Sequence, residues 1–580
     1  MYSSGALIRW GVRIPLRDGV ELNATVYLPR VQRVPEACVV TLTPYVADTF
    51  HDQAMYFATR GCPFAVVDVR GRGNSAGQFR PLIQESADAF DVVEWLASQP
   101  YCNGKVAMWG GSYAGYVQWA AAKELPPHLC TLVPVASPFP GTDFPMRSNI
   151  FYPYLIRWLT YTSGGTLQSR IFNDDNFWSD LNCEWIRSGD SFRDIDNRLG
   201  GSLPIFREWL SHPEPDAYWD SHNPTPEQYK RLELPILTIT GCYDDDQLGA
   251  LEHYRLHISQ GEECAHRHFL VIGPWDHEGT RTPRNEVGGI NLGPASLVDL
   301  PALHLQWYRW VMGTGIRPTF LRKRVAYYVM GTEKWRYADS LSAVTSRLEA
   351  FYLDSRGTAN RISGRGCLKL LPGSGPPDSY CYDPRDTSGP EIAAEARRDG
   401  RSLIDEGLLA ALDGRVLVYD GAPMSQDIEI SGFFELTAWI SIDCPDTDFY
   451  VSVYEVSPSR GVIRLTTDAM RARYRHGLRK PRLITTDAPL RYSFRAFTFV
   501  SRQVERGHWL RLVIAPVGPF MEATFAERNY NGGGIVSAET RNDGKAVIAT
   551  LFHDQEYPSV LHVPWGRPEK SRAEMEASRS

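Results

Sequence analysis

The amino-acid sequence predicts a mixed α/β fold with an inserted helical segment and a separate all-β domain behind it. Up to about residue 347, short apolar runs of β character alternate with segments of helical period, which is typical of a parallel sheet covered by helices on both faces. After about residue 348, short alternating runs recur with turn residues between them, as in a β-sandwich or jelly roll. With 580 residues, the chain is also too long for a single hydrophobic core.

Composition and charge exclude several classes of function. The net charge of −7 offers no positive field for nucleic acid or an anionic membrane. No apolar run reaches the ~18–20 residues that span a bilayer. The N-terminal residues lack the apolar block of a secretory signal, and the 10 cysteines contain no CxxC pair. We therefore expect a cytoplasmic protein with reduced thiols, no metal or cofactor, and neither a nucleic acid nor a membrane as partner.

The first part of the chain reads as strands and helices in alternation. Residues 7–30 predict a β-meander with a turn at Arg17-Asp18-Gly19. Buried strands are predicted at 38–42, 63–69, 106–109 and 131–136, and an amphipathic helix at 85–98. Two further strands are predicted at 234–240 and 268–272. We assign 1–143 and 232–347 to this α/β domain.

The segment between these two parts has a different pattern. Residues 144–231 are rich in aromatic side chains and show no strand rhythm, so we predict a helical cap over a site. Many of these aromatic residues must belong to the core of the cap itself. Behind the α/β domain we predict a jelly roll over 348–566 and a flexible tail over 567–580. Two roles remain open for the jelly roll: the interface of a homodimer, or one wall of the pocket.

One serine lies at a sharp turn between a predicted strand and a predicted helix. The stretch Lys105–Lys123 reads KVAMWGGSYAGYVQWAAAK, with an apolar run before Ser112 and an Ala-rich helical run after it. This arrangement is the nucleophile elbow of α/β-hydrolases, in which small neighbours let strand and helix approach closely. The helix N-terminus also offers free N–H groups to an oxyanion. The alternative is a glycine-rich turn with an incidental serine.

A rival serine matches the elbow motif better by its letters. Ser75 lies in GNSAG, which fits G-x-S-x-G, whereas the second glycine after Ser112 comes one place late. Ser75, however, is separated from its strand by RGRG and is followed by Gln78–Pro81, which does not begin a helix. Ala114 is small enough for the position two residues after the nucleophile. We therefore choose Ser112 on structural context.

A serine nucleophile needs a base and an acid that orients the base. In α/β-hydrolases these follow in the order Ser, acid, His, each in a loop after a strand. Asp244 follows the strand at 234–240, although the neighbouring Asp245 and Asp246 leave the acid ambiguous at this point. His277 follows the strand at 268–272, while the competing histidines precede that strand or lie in a predicted helix.

Motifs along nearly the whole chain carry a family resemblance. They include TPY at 43–45, DVRGRGNSAGQF at 68–79, WGGSYAGYVQWAAA at 109–122, GCYDD at 241–245, GPWDH at 273–277 and DTDFYVSVYEVSP at 446–458. By these motifs the chain resembles the cocaine esterase-like hydrolases, grouped with X-Pro dipeptidyl-peptidases and α-amino acid ester hydrolases. The resemblance implies an α/β-hydrolase domain with an inserted helical cap and a C-terminal jelly roll.

The resemblance also implies roles for individual residues. The acid of the family aligns with Asp244, and its oxyanion hole aligns with the Tyr45 hydroxyl and the Tyr113 backbone N–H. The matched RGRGNSAG segment makes Ser75 a family feature other than the nucleophile. The cap offers no residue-by-residue match to cocaine esterase, so cocaine is not implied as the substrate.

The pocket is the least constrained part of the prediction. We expect Tyr154, Trp158, Trp275 and Asp245 to line it. If the acidic run after Asp244 faces the pocket, it favours a cationic group of the substrate, such as an amine.

The expected function is hydrolysis of an ester or amide bond of a small-molecule or short peptide-like substrate through an acyl-enzyme. An acyltransferase or a cyclising enzyme that uses the same triad is the first alternative, because a dry aromatic cap would favour a nucleophile other than water. A non-catalytic binding protein on a hydrolase scaffold is the alternative of another class.

Overall fold

The structure of the protein is a computed structural model that describes residues 5–313, 315–388, 403–404, 413–459, 461–518 and 526–567. The chain forms two compact units. The first consists of Met1–Ser188, Phe192–Arg284 and Ser296–Ala326, and the second of Gly189–Ser191, Asn285–Ala295 and Tyr327–Ser580. Of the tail predicted at 567–580, residues 568–580 lie outside the described residues.

The first unit is built around a twisted sheet whose strands are largely parallel. Its strands run in the order β1-β2-β4-β3-β5-β6-β9-β10. Their bounds are β1 Ala6–Pro15, β2 Glu21–Pro29, β3 Glu36–Thr43, β4 Phe64–Asp68, β5 Cys102–Gly111, β6 Leu129–Val135, β9 Ile236–Tyr243 and β10 His268–Asp276, with a small hairpin of β7 Met146–Arg147 and β8 Ile150–Phe151 between them. Strands β1 and β2 pair antiparallel at one edge, and β4, β3, β5, β6, β9 and β10 are parallel to one another.

Burial explains why these strands read as continuous apolar runs. All five residues of β4, FAVVD, are buried, as are the first seven of β9. Parallel strands are covered on both faces, so neither face needs alternating polar residues. Helices that follow the strands provide this cover, and the C-terminal ends of the strands share one edge of the sheet.

The helices of the first unit divide into those that pack on the sheet and those of the inserted segment. The former are α1 His51–Ala58, α2 Glu85–Ala97, α3 Tyr113–Lys123, α10 Gln247–Ile258, α11 Glu262–Arg267 and α12 Leu300–Val311. The latter are α4 Tyr154–Tyr161, α5 Ser169–Phe172, α6 Asp175–Ser188, α7 Pro204–Leu210, α8 Ala217–Asp220 and α9 Pro226–Lys230. No helix within the described residues combines the length and the apolar character that crossing a membrane requires.

The second unit is all-β apart from short 3₁₀ turns in its described residues. Its short hairpin consists of β11 Glu286–Val287 and β12 Ile290–Asn291. Strand β13 Val325–Val329 crosses from the first unit into the second and is followed by β14 Lys334–Ala338. The remaining strands are β15 Arg347–Asp354, β16 Gly366–Lys369, β17 Asp378–Tyr382, β18 Leu417–Asp420, β19 Ile428–Gly432, β20 Glu435–Ile442, β21 Asp448–Ser457, β22 Gly461–Arg471, β23 Leu490–Phe494, β24 Val500–Val504, β25 Trp509–Ala515, β26 Val547–Phe552 and β27 Val560–Trp565.

These strands pair almost entirely antiparallel. The longest ladder joins β21 to β22, and β25 lies on the other side of β21. On β20 the burial alternates residue by residue, which is the pattern of a strand with one face toward a core.

The predicted fold class is confirmed: a large mixed sheet with helices is followed by a separate all-β domain. The boundaries 143/144, 231/232, 347/348 and 566/567 stay predictions. The chain passes between the two compact units at 188/189, 191/192, 284/285, 295/296 and 326/327, and the helices α4–α9 belong to the first unit.

Candidate active site

Ser112 lies at the turn between β5 and α3, where its backbone is strained. Its φ of 60° and ψ of −128° fall in a region that non-glycine residues rarely adopt. The turn is held because the Ser112 N–H donates to the carbonyl of Val135 on β6, at 2.9 Å. The Ser112 carbonyl accepts from Gly115 and Tyr116 in the first turn of α3. The side chain therefore stands at the helix N-terminus, as the sequence predicts for an elbow.

Small residues make this turn sterically feasible. A Cβ added to Gly110 would lie 2.6 Å from the Cβ of Ala114. A Cβ added to Gly115 would lie 2.9 Å from the carbonyl oxygen of Val135. Contacts this short are not tolerated, so the strand and the helix approach each other only with glycine at 110 and 115, whereas Ala114 is accommodated.

Asp244 and His277 follow the adjacent parallel strands β9 and β10, and their side chains meet. His277 Nδ1 lies 2.8 Å from Asp244 Oδ1. Because a carboxylate only accepts, Nδ1 carries the proton of this hydrogen bond. The Asp244 side chain is fully buried, and that of His277 is 23% exposed, so the imidazole bridges from the interior to an open space.

Further donors hold the Asp244 carboxylate. The Thr240 hydroxyl donates to Oδ2 at 2.7 Å, and the Asp246 N–H donates to Oδ1 at 3.1 Å. With both oxygens bound, the carboxylate cannot rotate freely, and this fixes the histidine ring that it holds. Among the three consecutive aspartates, Asp244 therefore makes the close contact with His277. Asp246 Oδ2 lies farther from Nδ1, at 3.8 Å.

Tyr45 lies just after the C-terminal end of β3 and is half-buried. Its hydroxyl accepts a hydrogen bond of 3.1 Å from Trp158 Nε1 and also interacts with the Ser112 side chain. Burial raises the pKa of the Tyr45 phenol above its ordinary value of 10.0, and these hydrogen bonds and the charge of Arg281 offset the burial only in part. The hydroxyl therefore remains a proton donor at neutral pH.

The backbone N–H and the side chain of Tyr113 lie in different surroundings. Its N–H is the first of α3 and has no acceptor within the helix. Its buried hydroxyl donates to Glu85 and accepts from the Leu82 N–H. Burial raises the pKa of Glu85 to about 7, although the Tyr113 hydrogen bond acts in the opposite direction. The side chain thus anchors the residue while its N–H stays available.

A cavity of about 600 Å³ opens above these residues. Its lining includes Ser112, His277, Tyr45, Tyr154, Trp158 and Arg281. Helix α4 supplies three of its aromatic residues, Tyr154, Trp158 and Tyr161, at the spacing of one helical face. The volume falls in the range of small-molecule sites.

Two of the four residues predicted for the pocket lie elsewhere. Trp275 is 0% exposed, and its indole N–H donates to the Ser296 carbonyl at 2.9 Å, so it is a core residue. Asp245 is exposed and does not belong to the described lining. Asp245 therefore does not provide a negative charge in the cavity that could bind a cationic group of the substrate. Tyr154 and Trp158 line the cavity.

Ser75 serves the loop rather than the cavity. Its hydroxyl donates to the Asp68 carbonyl and accepts from the Asn23 N–H, both at 2.7 Å. Both contacts tie the glycine-rich loop to the sheet, and Ser75 is not among the described cavity residues.

Sequence reasoning missed Arg72, a fully buried cation beside the site. Its Nε donates to the carbonyl of Pro44, which precedes Tyr45, at 2.9 Å, and its Nη1 donates to the carbonyl of Thr162, just after α4, at 2.6 Å. One guanidinium therefore fixes both the loop of Tyr45 and the end of the helix that carries Trp158. Its place in the RGRG segment is the signal that could have revealed it.

Sequence reasoning also missed Arg281. It lies in the turn after His277, and its side chain passes over Gly111 into the cavity. No motif marks this position. Within the described part of the chain, no group of three or more His, Cys, Asp or Glu side chains is arranged to hold a metal ion.

Comparison with known families identifies the chain. The profile of the S15 family, described as X-Pro dipeptidyl-peptidase, matches residues 18–279. The profile of the X-Pro dipeptidyl-peptidase C-terminal non-catalytic domain matches residues 321–517. The chain belongs to the X-Pro dipeptidyl-peptidase family. The first match includes Tyr45, Ser112, Asp244 and His277.

Three relatives of this S15 family member align with it over nearly its whole length. A cocaine esterase of Rhodococcus sp. strain MB1 Bresler is 25% identical over 590 residues, covering 95% of this chain and 97% of the relative. A solved α-amino acid ester hydrolase shares the fold with a TM-score of 0.81 at 20% identity, covering 97% of both chains. An aminopeptidase from a marine sediment Thaumarchaeota archaeon has a TM-score of 0.80 at 20% identity and the same coverage. The protein is accordingly a hydrolase of the serine type.

Proposed function

We propose that Ser112, His277 and Asp244 form the catalytic triad with which this serine hydrolase cleaves an ester or amide bond of a small-molecule or short peptide-like substrate. One observation carries the proposal. Ser112 and His277 line the same cavity, His277 is held by the buried Asp244, and the Tyr45 hydroxyl interacts with the Ser112 side chain.

The triad gives each residue a defined step. The Ser112 hydroxyl attacks the carbonyl carbon while His277 Nε2 takes its proton, and the tetrahedral intermediate forms. His277 then returns the proton to the leaving alcohol or amine as its bond to the carbonyl carbon breaks. Asp244 stabilises the imidazolium and keeps Nδ1 protonated. Water, deprotonated by the same histidine, releases the acyl group as a carboxylic acid.

Two donors would stabilise the oxyanion that develops on the carbonyl oxygen. These are the Tyr45 hydroxyl and the Tyr113 backbone N–H. A hydrogen bond of this kind contributes roughly 3 kcal/mol in the transition state because it strengthens as charge develops. The raised pKa of Tyr45 keeps its proton in place for this role.

Hydrolysis is favoured over acyl transfer by the polarity of the cavity. Besides its aromatic wall, the lining contains Asp52, Gln53 and Arg281, which attract water to the site of deacylation. The acyltransferase and cyclising alternatives need a nucleophile that outcompetes this water. Product analysis with hydroxylamine as a competing nucleophile separates them: a free acid as the main product supports hydrolysis, and complete conversion to the hydroxamate at low hydroxylamine contradicts it.

The Ser112→Ala variant tests the triad against a non-catalytic binding role. Its kcat/KM on 4-nitrophenyl acetate should fall by roughly 10⁴-fold or more, because no other group can form the acyl-enzyme. Ser75→Ala is the matched control and should retain the activity of the folded protein. Full activity in Ser112→Ala would refute the assignment of the nucleophile.

We also propose a reducing compartment, the cytoplasm, for this protein. All ten cysteines are free, which suits a compartment that keeps thiols reduced. The homodimer stays a prediction, for which sedimentation velocity is the test.

A further inference from the structure

Arg281 brings a positive charge next to the proposed nucleophile. A Cβ added to Gly111 would lie 2.6 Å from Cδ and 3.2 Å from Nη1 of Arg281. The side chain therefore runs directly over the residue before Ser112, in space that glycine leaves open. Its charge also acts on the Tyr45 hydroxyl. The guanidinium thus lies close to two groups of the proposed reaction centre.

The other charges of the lining do not neutralise Arg281. Arg284 is paired with Glu278, and both side chains are more than half exposed, at 52% and 66%. Among the described residues, no carboxylate forms an ion pair with Arg281 and no acceptor takes a hydrogen bond from its side chain. A guanidinium on a cavity wall with all five N–H donors unused is suited to a carboxylate, which it can bind through two parallel hydrogen bonds.

The overall charge of the cavity lining does not indicate whether anionic or cationic substrates are preferred. Its lining contains two acidic side chains, Asp52 and Glu278, and two arginines, Arg281 and Arg284. Any selection of substrates by charge must then come from the individual side chain that lies nearest the nucleophile. Of these four, Arg281 is the one whose side chain abuts the residue before Ser112.

We propose that Arg281 is a specificity-determining residue that binds a carboxylate of the substrate, so that the preferred substrates are anionic, such as half-esters of dicarboxylic acids. This inference rests on the proposed function, since it needs Ser112 as the nucleophile. The substrate charge proposed here is opposite to that of the amine expected if the acidic run after Asp244 faced the pocket.

Three activated esters of similar chain length test the charge preference. They are 4-nitrophenyl hydrogen glutarate, which is anionic, 4-nitrophenyl pentanoate, which is neutral, and the 4-nitrophenyl ester of 4-trimethylammoniobutanoate, which is cationic. The protein should show a kcat/KM for the glutarate ester roughly 10- to 100-fold above that for the pentanoate, the range expected for a hydrogen-bonded charge pair. Arg281→Gln should lower kcat/KM for the glutarate ester roughly 10- to 100-fold more than for the pentanoate ester, and so remove this preference.

Two variants sharpen the comparison. Arg281→Glu should shift the preference toward the trimethylammonium ester, and Arg284→Gln, the control on the paired arginine, should keep the preference for the glutarate ester. Equal activity of the unmodified protein on the glutarate and pentanoate esters would overturn the proposal, as would an equal loss on both esters in Arg281→Gln. Turnover of the pentanoate ester reports separately on the hydrolase activity, so its absence would identify a failure of the proposed function instead.

Discussion

At the scale of single residues, the site is organised by Trp158, which contacts the side chains of both residues that supply the proposed oxyanion donors. Its indole N–H donates to the Tyr45 hydroxyl, and its ring stacks on Tyr113 with centroids 5.4 Å apart. The Ser112 side chain is a second hydrogen-bonding partner of the Tyr45 hydroxyl. An aromatic residue of the inserted segment thus helps to orient a donor that belongs to the sheet.

Tyr45→Phe removes one oxyanion donor and keeps the ring. We expect kcat on 4-nitrophenyl acetate to fall roughly 10²- to 10³-fold with little change in KM, since the lost hydrogen bond forms fully only in the transition state. Steady-state kinetics give both parameters.

The control is Trp158→Phe, which removes the donor to Tyr45 but not the hydroxyl itself. Its loss in kcat should be smaller than that of Tyr45→Phe. An unchanged kcat in Tyr45→Phe would exclude the hydroxyl from the oxyanion hole.

At the scale of elements, the approach of α3 to β5 and β6 decides the geometry of the nucleophile. Gly110→Ala places a Cβ 2.6 Å from the Cβ of Ala114, which forces the strand and the helix apart. We expect a destabilisation of roughly 1–3 kcal/mol and a loss of activity, because Ser112 moves with the turn. Melting temperature and kcat measure the two effects.

Gly201→Ala is the matched control, since a Cβ there meets no atom within 4 Å. A Gly110→Ala protein as stable and active as Gly201→Ala would contradict the tight elbow.

Helix α2 carries a buried carboxyl whose ionisation couples stability to pH. Burial raises the pKa of Glu85 from an ordinary value of 4.5 to about 7, so between these pH values the folded protein holds a proton that the unfolded chain releases. The stabilisation is complete below the lower value and is lost as pH rises through the higher one. The shift corresponds to about 3 kcal/mol.

The melting temperature of the protein relative to Glu85→Gln should therefore fall between pH 5 and pH 8. Glu124→Gln, at an exposed glutamate, should show no such trend. A difference from Glu85→Gln that stays constant with pH would contradict a protonated Glu85.

At the scale of the whole molecule, the sequence predicts the fold and the positions of the site residues because both depend on strands. Continuous apolar runs identify β3, β5, β9 and β10, and parallel strands end at one edge of the sheet. Tyr45, Ser112, Asp244 and His277 each lie at such an end. Their gathering at one place follows from the topology.

The parts that sequence reasoning missed depend on the directions of side chains in loops. The residue pattern alone leaves open which of three consecutive aspartates meets the histidine, and only the family resemblance indicates Asp244. The Thr240 hydroxyl and the Asp246 N–H, both bound to Asp244, make the choice in the structure. Trp275 lies between two site residues in sequence but points into the core. Arg281 enters the cavity because Gly111 leaves space for it, a relation between residues 170 positions apart.

The central claim is that one serine of the whole chain is the nucleophile. A fluorophosphonate probe reacts covalently with an activated serine, and peptide mapping by mass spectrometry identifies the labelled residue. The account predicts a single labelled site at Ser112 and no labelling in Ser112→Ala. Labelling at Ser75, or no labelling of the intact protein, would contradict it.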